Sequence, residues 1–221
     1  MRRLFVAGAH TDVGKTFCAA ALLRAARAQR LTVEALKPVV SGFDPDDWAQ
    51  SDPGRLLDAL GRPLNLETLD AISPWRFRAA LSPPMAARLE GASLSLAELA
   101  DFCRDGLAAS TADLTLVEGV GGVMSPVADD GTGLDLMLAL GLPTLLVGGS
   151  YLGAISHTLT ALETLKARRL PVVAVAVSQD ADLEAPDFRE TVASVTAFAP
   201  GIAVLAAPRG EAQSWPSLIL D

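Results

Sequence analysis

The stretch Gly8-Ala9-His10-Thr11-Asp12-Val13-Gly14-Lys15-Thr16 constrains this chain most, because of what stands on either side of it. An apolar run, Leu4–Ala7, leads in, and an alanine-rich helical pattern, Gly14–Gln29, leads out. A strand, a glycine loop ending Gly-Lys-Thr and a helix together make a phosphate-binding loop, or P-loop. Its backbone N–H groups and the helix N-terminus face an anion, and the lysine adds a point charge. The threonine hydroxyl can reach a magnesium ion bridging the phosphates. One position departs: the usual spacing asks for glycine at 9, where Ala9 stands with Gly8 one residue earlier.

Lysine usage sharpens the reading. The chain has 18 basic residues, yet only Lys15, Lys37 and Lys166 are lysines. An ammonium is compact and strongly hydrated, and a planar guanidinium does not replace it. Lys15 and Lys37 both stand in glycine- or proline-marked loops, the second in Lys37-Pro38-Val39-Val40-Ser41-Gly42.

Short apolar runs alternate with helical patterns along the chain, the mark of a parallel sheet covered on both faces. Strands are expected at Leu4–Ala7, Val33–Lys37, Leu114–Glu118, Pro143–Val147, Val172–Ser178 and Ile202–Leu205. Helices are expected at Gly14–Gln29, Gly54–Leu60, Pro83–Leu89, Leu96–Ala108, Leu134–Leu140, Ala154–Arg168 and Phe188–Phe198. Ser95 with Glu98 forms a capping box. The fold class is therefore α/β: a single-domain, P-loop NTPase-like parallel sheet with helices on both faces. One domain spans 1–221, with 208–221 an irregular tail that either covers the nucleotide or frays. The stretch from Pro38 to Pro84 is polar, proline-rich and weakly patterned, and a long stretch of that kind inside a compact domain is usually functional.

Half of the residues are hydrophobic, which is ample for a core. A net charge of −8 argues against nucleic-acid binding, which needs basic surface. Cys18 and Cys103 have neither metal nor pairing spacing and read as buried thiols in a reducing compartment. Met1-Arg2-Arg3 runs straight into a strand with no cleavage site, and Asp135, Gly141 and Pro143 interrupt the apolar stretch Leu134–Val147, so it does not span a bilayer. A cytoplasmic protein with no membrane partner is expected.

A second glycine loop, Glu118-Gly119-Val120-Gly121-Gly122, follows the strand ending at Val117. Ligands of open α/β sheets bind beyond the carboxyl ends of the strands, where the P-loop, Lys37 and Glu118 all fall. Glu118 and Thr16 are candidate magnesium ligands, and Asp52 is a third. Ser51-Asp52-Pro53-Gly54 also suits a turn and helix cap.

With these motifs in hand, the chain resembles the dethiobiotin synthetases. The resemblance rests on Gly8-x-x-Thr11-x-Val13-Gly14-Lys15-Thr16, Lys37-Pro38-Val39-x-Ser41-Gly42, Ser51-Asp52 and Val117-Glu118-Gly119-x-Gly121-Gly122, in that order. Ser82-Pro83 with Glu90-Gly91, and Leu152-Gly153-x-Ile155-x-His157, match more weakly. The resemblance implies that 7,8-diaminopelargonic acid takes up carbon dioxide as a carbamate, ATP phosphorylates it, and the second amine closes a ureido ring. It implies Lys37, Lys15 and Thr11 as catalytic residues, and Asp12, Val13, Gly14, Lys15, Thr16, Phe17, Glu118, Gln179 and Pro208 around the nucleotide. Ser41, Gly121, Gly122, Tyr151, Leu152 and Gly153 would bind substrate, the last three gripping its carboxylate tail at a helix N-terminus across a homodimer interface. Magnesium would sit on Thr16, Asp52 and Glu118.

His10 replaces a usual family residue and reads as an exposed loop side chain. Gln179 stands where the family often has a base-reading asparagine, which leaves the base preference open. Lys37→Ala is expected to lower turnover and leave the fold intact. Two other readings stay open: a partition-type ATPase switch, which lacks its extra loop lysine here, and a related amide-forming synthetase. A glutamine-using version of the latter needs a nucleophilic cysteine, for which Cys18 and Cys103 are poorly placed.

Overall fold

The computed structural model describes residues 1–182, 184–210 and 214–220. The first P-loop strand becomes β1 (Arg2–Gly8), and its helix becomes α1 (Lys15–Ala28). Then come β2 (Val33–Leu36), β3 (Val39–Ser41), α2 (Asp52–Leu60), α3 (Leu66–Ile72), β4 (Trp75–Phe77), α4 (Pro83–Leu89) and α5 (Leu96–Ala109). The chain continues through β5 (Leu114–Glu118), β6 (Pro126–Ala128), β7 (Gly131–Thr132), α6 (Gly133–Leu140), β8 (Thr144–Gly148) and α7 (Ala154–Ala167). It finishes with β9 (Val172–Ser178), α8 (Phe188–Phe198), β10 (Val204–Ala207) and α9 (Ser217–Leu220).

Six strands form one parallel sheet in the order β10-β9-β8-β1-β5-β2. Successive residues of a strand point to opposite faces, so a strand covered on both sides reads as an unbroken apolar run. Leu4 and Val6 of β1 join the core under α1 and α2, whereas Phe5 and Ala7 join the core under α5, α6 and α7. Leu116 against Val117 on β5, and Leu145 against Leu146 on β8, divide in the same way. The sheet is packed on both faces for this reason, and its carboxyl edge carries the loops of the site.

The expected strands and helices all form, with ends shifted by a residue or two and β10 starting two residues late. Gly201, at φ +78°, turns the chain before it, and the Ile202 N–H bonds back to the Ala199 carbonyl, so Ile202 belongs to the turn. The capping box of Ser95 and Glu98 is present. Inside the weakly patterned stretch the structure finds order that periodicity misses. β3 and β4 pair in parallel, and α3 carries an Asn65–Thr68 capping box. Elements of three to seven residues are too short to display a period. The expected tail lies partly outside the described residues; within them it includes α9, packed on the α1 side with Trp215 and Leu220 buried.

Candidate functional site

The P-loop sits between β1 and α1. A Cβ at Gly8 would lie 2.8 Å from both the His10 carbonyl oxygen and the Lys15 side chain, so this glycine is sterically required. Gly14, at φ +89°, adopts a backbone that favours glycine, and a Cβ there would meet the Ser178 hydroxyl. Ala9 is tolerated because its φ is not positive: among described non-glycine residues only Asp12, Arg30 and Arg169 have that geometry. Asp12, at φ +58°, supplies the left-handed turn, which its short polar side chain accommodates. Val13 is buried in the core, so only its backbone is available to a nucleotide.

Two strand ends and one helix start bring charge together beside this loop. Lys37 follows β2, Glu118 ends β5, and Asp52 opens α2. The Lys37 ammonium contacts Glu118 Oε1 at 2.6 Å, Asp52 Oδ2 at 2.9 Å and the Gly119 carbonyl at 2.9 Å. An ammonium has three N–H donors, and these three acceptors match them. Thr16 donates its hydroxyl to the same Glu118 oxygen at 2.6 Å. Lys37 is 0% exposed and Glu118 1%, so the cluster is a buried ion network rather than a surface salt bridge.

Burial works against the Lys37 charge, but Asp52 and Glu118 outweigh it and hold the ammonium above its ordinary range. Burial also pushes Glu118 up, opposed by Lys37. Burial acts on Asp52 in the same sense, yet Lys37 dominates and brings its carboxyl down to about 2. Lys15 behaves differently. Burial, reinforced by repulsion from Lys37, lowers it to about 8, and its bond to the His10 carbonyl is long at 3.3 Å.

The Ser51-Asp52 alternatives are both realised. Ser51 caps α2 through the Gly54 N–H, while the Asp52 carboxylate turns to Lys37. The expectation that Lys37→Ala leaves the fold intact needs correction. Removing a fully buried cation leaves Glu118 buried without its counter-charge, and breaking such a pair typically costs about 3–5 kcal/mol.

Several of the remaining site residues line three clefts, whereas Phe17, Tyr151, Leu152 and Gly153 lie outside them. Thr11, Asp12, Ser41, Gly121 and Ser82 border one of about 510 Å³. Thr11, His10, Gly122 and His157 border a second of about 480 Å³. Gln179, Asp180, Phe188 and Pro208 border a third, of about 620 Å³, beyond β9 and β10. The second glycine loop lies against the P-loop, since a Cβ at Gly122 would come 3.1 Å from the Ala9 carbonyl oxygen. Gly153 precedes α7 at φ +95°, and Leu152 beside it is 88% exposed.

Sequence reasoning missed two features. His10 is exposed as expected, but it stacks on His157, with ring centroids 5.2 Å apart and planes 10° apart; the Tyr151 hydroxyl lies 2.7 Å from His157 Nδ1. Arg209 lies 5.0 Å over the Phe17 ring and holds Gln179 through two hydrogen bonds. Neither feature has a local signal, because each joins residues far apart in the chain. Cys18 and Cys103 are buried and unpaired, and burial raises both to about 12, which makes them inert as nucleophiles.

Among the described residues no helix is long and apolar enough to cross a membrane. Nor do they contain a cluster of three or more His, Cys, Asp or Glu able to hold a metal. What they offer a cation is two carboxylates and a hydroxyl, including Glu118 Oε2, which is buried without a hydrogen-bond partner. That donor set fits magnesium arriving with phosphates, which supply its other oxygens, better than a resident ion.

Solved structures share the fold at low identity. The hydrogenase maturation factor HypB of Archaeoglobus fulgidus matches with a TM-score of 0.57 and 13% identity, over 100% of this chain and 89% of that one. A MinC:MinD cell division complex of Aquifex aeolicus matches with a TM-score of 0.54 and 11% identity, over 92% and 79%. Sequence relatives are far closer. The ATP-dependent dethiobiotin synthetase of Phenylobacterium zucineum is 57% identical over 100% of this chain and 94% of its own length. That of Caulobacter vibrioides is 55% identical over 95% and 93%. A family model described as an AAA domain matches residues 2–209. Identity of that extent, joined to the converging P-loop, Lys37 and Glu118, means that this chain belongs to the ATP-dependent dethiobiotin synthetase family.

Proposed function

We propose that this chain makes dethiobiotin, and that the buried contact between Lys37 and Glu118 beside Thr16 is the observation that carries the residue assignments. The substrates are 7,8-diaminopelargonic acid, carbon dioxide or bicarbonate, and ATP. One amine bonds to the carbon of carbon dioxide and loses a proton, giving a carbamate. A carbamate oxygen takes the terminal phosphoryl group of ATP, and ADP departs. The second amine then attacks the carbamoyl carbon, loses a proton as phosphate leaves, and the ureido ring closes.

Phosphoryl transfer of this kind needs positioning and charge neutralisation, with no covalent nucleophile. Lys15 meets the β- and γ-phosphates, while the backbone of Asp12–Gly14 and the start of α1 cradle them. Thr11 and Ser41, on the walls of one cleft, hold the carbamate by hydrogen bonds. Lys37 neutralises it, and must release one of its three present acceptors to do so. Asp52, whose side chain is 41% exposed, can swing away more easily than Glu118. Magnesium held by Thr16, Asp52 and Glu118 would draw charge from the transferring phosphoryl group. Phe17, Gln179 and Pro208 border the base, and Gly121 and Gly122 let the substrate approach backbone.

The reading includes a homodimer. Leu152 lies almost fully exposed at the start of α7, where Tyr151 and Gly153 can present backbone N–H groups to a carboxylate tail held against a second copy. It also includes one domain over 1–221 and a cytoplasmic setting, in keeping with two unpaired thiols. The test is to incubate the protein with the diamine, bicarbonate, magnesium and ATP. Phosphate release that depends on the diamine, with dethiobiotin as product, is expected. Diamine-independent hydrolysis stimulated by DNA or lipid would point instead to a nucleotide switch.

A further inference from the structure

The chain contains two histidines and one tyrosine, and the fold gathers all three in one place. His10 comes from the P-loop, and Tyr151 and His157 from either side of the start of α7. The ring centroids of His10 and Tyr151 stand 5.9 Å apart, and those of Tyr151 and His157 5.7 Å. His10 Nδ1 lies 2.9 Å from the Thr11 carbonyl oxygen. A carbonyl oxygen can only accept, so Nδ1 carries the hydrogen and the neutral ring keeps its lone pair at Nε2. That nitrogen has no hydrogen-bond partner among the described residues. Stacked imidazoles in near-parallel planes do not aim their in-plane lone pairs at one ion, so the pair is poorly arranged to chelate a metal.

His10 and His157 border the cleft of about 480 Å³. Thr11 and Ser125 border both that cleft and the one of about 510 Å³ where Ser41 stands. The His10 ring thus adjoins the wall on which Thr11 would hold a carbamate. Carbamate formation needs a proton acceptor there. As an amine nitrogen bonds to the carbon of carbon dioxide, one C–O π pair moves onto oxygen and the nitrogen sheds a proton. The buried network accepts it poorly. Glu118 is engaged by Lys37 and Thr16, the Asp52 carboxyl is brought down to about 2 by Lys37, and phosphate beside Lys15 favours its ammonium. Imidazole is the side chain suited to taking and returning a proton near neutral pH.

Resting on the reading that this chain carboxylates a diamine, we infer that His10 is a catalytic base whose Nε2 takes the proton the first amine loses as it bonds to carbon dioxide. The products of that step are the carbamate anion and an imidazolium. The Thr11 carbonyl then accepts a charge-assisted bond from Nδ1–H, and the stacked His157 ring covers one face of the cation. His10 is exposed, so the proton passes to water before the next turnover.

Steady-state dethiobiotin formation by the full-length protein, at saturating ATP and bicarbonate, tests this with His10→Ala and His10→Gln. Both variants are expected to lose about 10²–10⁴-fold in kcat/KM for the diamine, the usual contribution of a general base, with the KM for ATP changed less than about threefold. Imidazole added to His10→Ala should raise its rate at least about threefold, because a free base can enter the space the ring leaves. A loss below about tenfold in either variant, or a loss in His10→Ala that imidazole does not restore, overturns the inference and leaves the proposed function standing. A loss matched by an equal rise in the KM for ATP marks a disturbed P-loop and overturns it as well. Wild-type protein that forms no dethiobiotin overturns the proposed function and the inference together.

Discussion

The two halves of the sheet's carboxyl edge treat polar groups in opposite ways. At β1, β2 and β5 the chain buries Lys15, Thr16, Lys37 and Glu118 and joins the last three directly by short hydrogen bonds. At β9 and β10, Gln179 and Asp180 stay half-exposed, Gln179 tied to Arg209 by two hydrogen bonds and Asp180 to Ser150 by one. In the proposed function the buried group is where charge would be transferred, and electrostatic interactions strengthen in a low-dielectric site whose fixed dipoles need no reorganisation. The half-exposed group is where the base would be held, with contacts more open to solvent. Chemistry and recognition are therefore supported by different physics on one edge.

The sharpest way to break this comparison is Lys37→Ala. Turnover should fall about 10²–10³-fold, the usual loss when one preorganised electrostatic donor is removed. Stability should fall by about 3–5 kcal/mol in urea unfolding, since Glu118 is left buried without its counter-charge. Unchanged turnover would remove Lys37 from the site, and unchanged stability would mean that the network is not the closed unit described.

A second effect is smaller and depends on pH. Lys15 lies near 8 in the free protein because burial disfavours its charge and Lys37 repels it. Phosphate beside it favours the ammonium, so the bound value is higher than the free one. Between the two values ATP binding takes up a proton, and affinity falls as pH rises through about 8. Calorimetry in buffers of different ionisation enthalpy should find proton uptake near pH 8–9 and essentially none from Lys15 near pH 6. Equal uptake at both would show that Lys15 does not titrate as described.

The smallest effect belongs to the base side. Gln179→Ala should raise the KM for ATP by less than about tenfold, the scale of one net hydrogen bond, and leave kcat nearly unchanged. A loss of kcat as large as that of Lys37→Ala would erase the distinction between the two halves.

The same division decides how much was legible in the sequence. Lys15 follows Gly14 at the start of α1, and Lys37 and Glu118 stand next to proline or glycine at strand ends, so local pattern and sheet topology together predict that they meet. The six main strands were legible too, because burial on both faces leaves continuous apolar runs such as Leu114–Val117. What escaped depends on contacts across long stretches of chain or on very short elements. Arg209 reaches back to Gln179, His10 stacks on His157, and β3 finds β4, and none of these has a period to read. That Lys37 is fully enclosed was likewise invisible, since enclosure is set by Asp52 and Gly119 arriving from elsewhere.

A double-mutant cycle on kcat with Lys37→Met and Glu118→Gln tests the central claim that these loops act as one charged unit. If they do, the double variant should be within about threefold of the slower single variant, because groups that work together are lost together. Multiplication of the two single losses in the double variant would mean that Lys37 and Glu118 act independently, and would contradict the account.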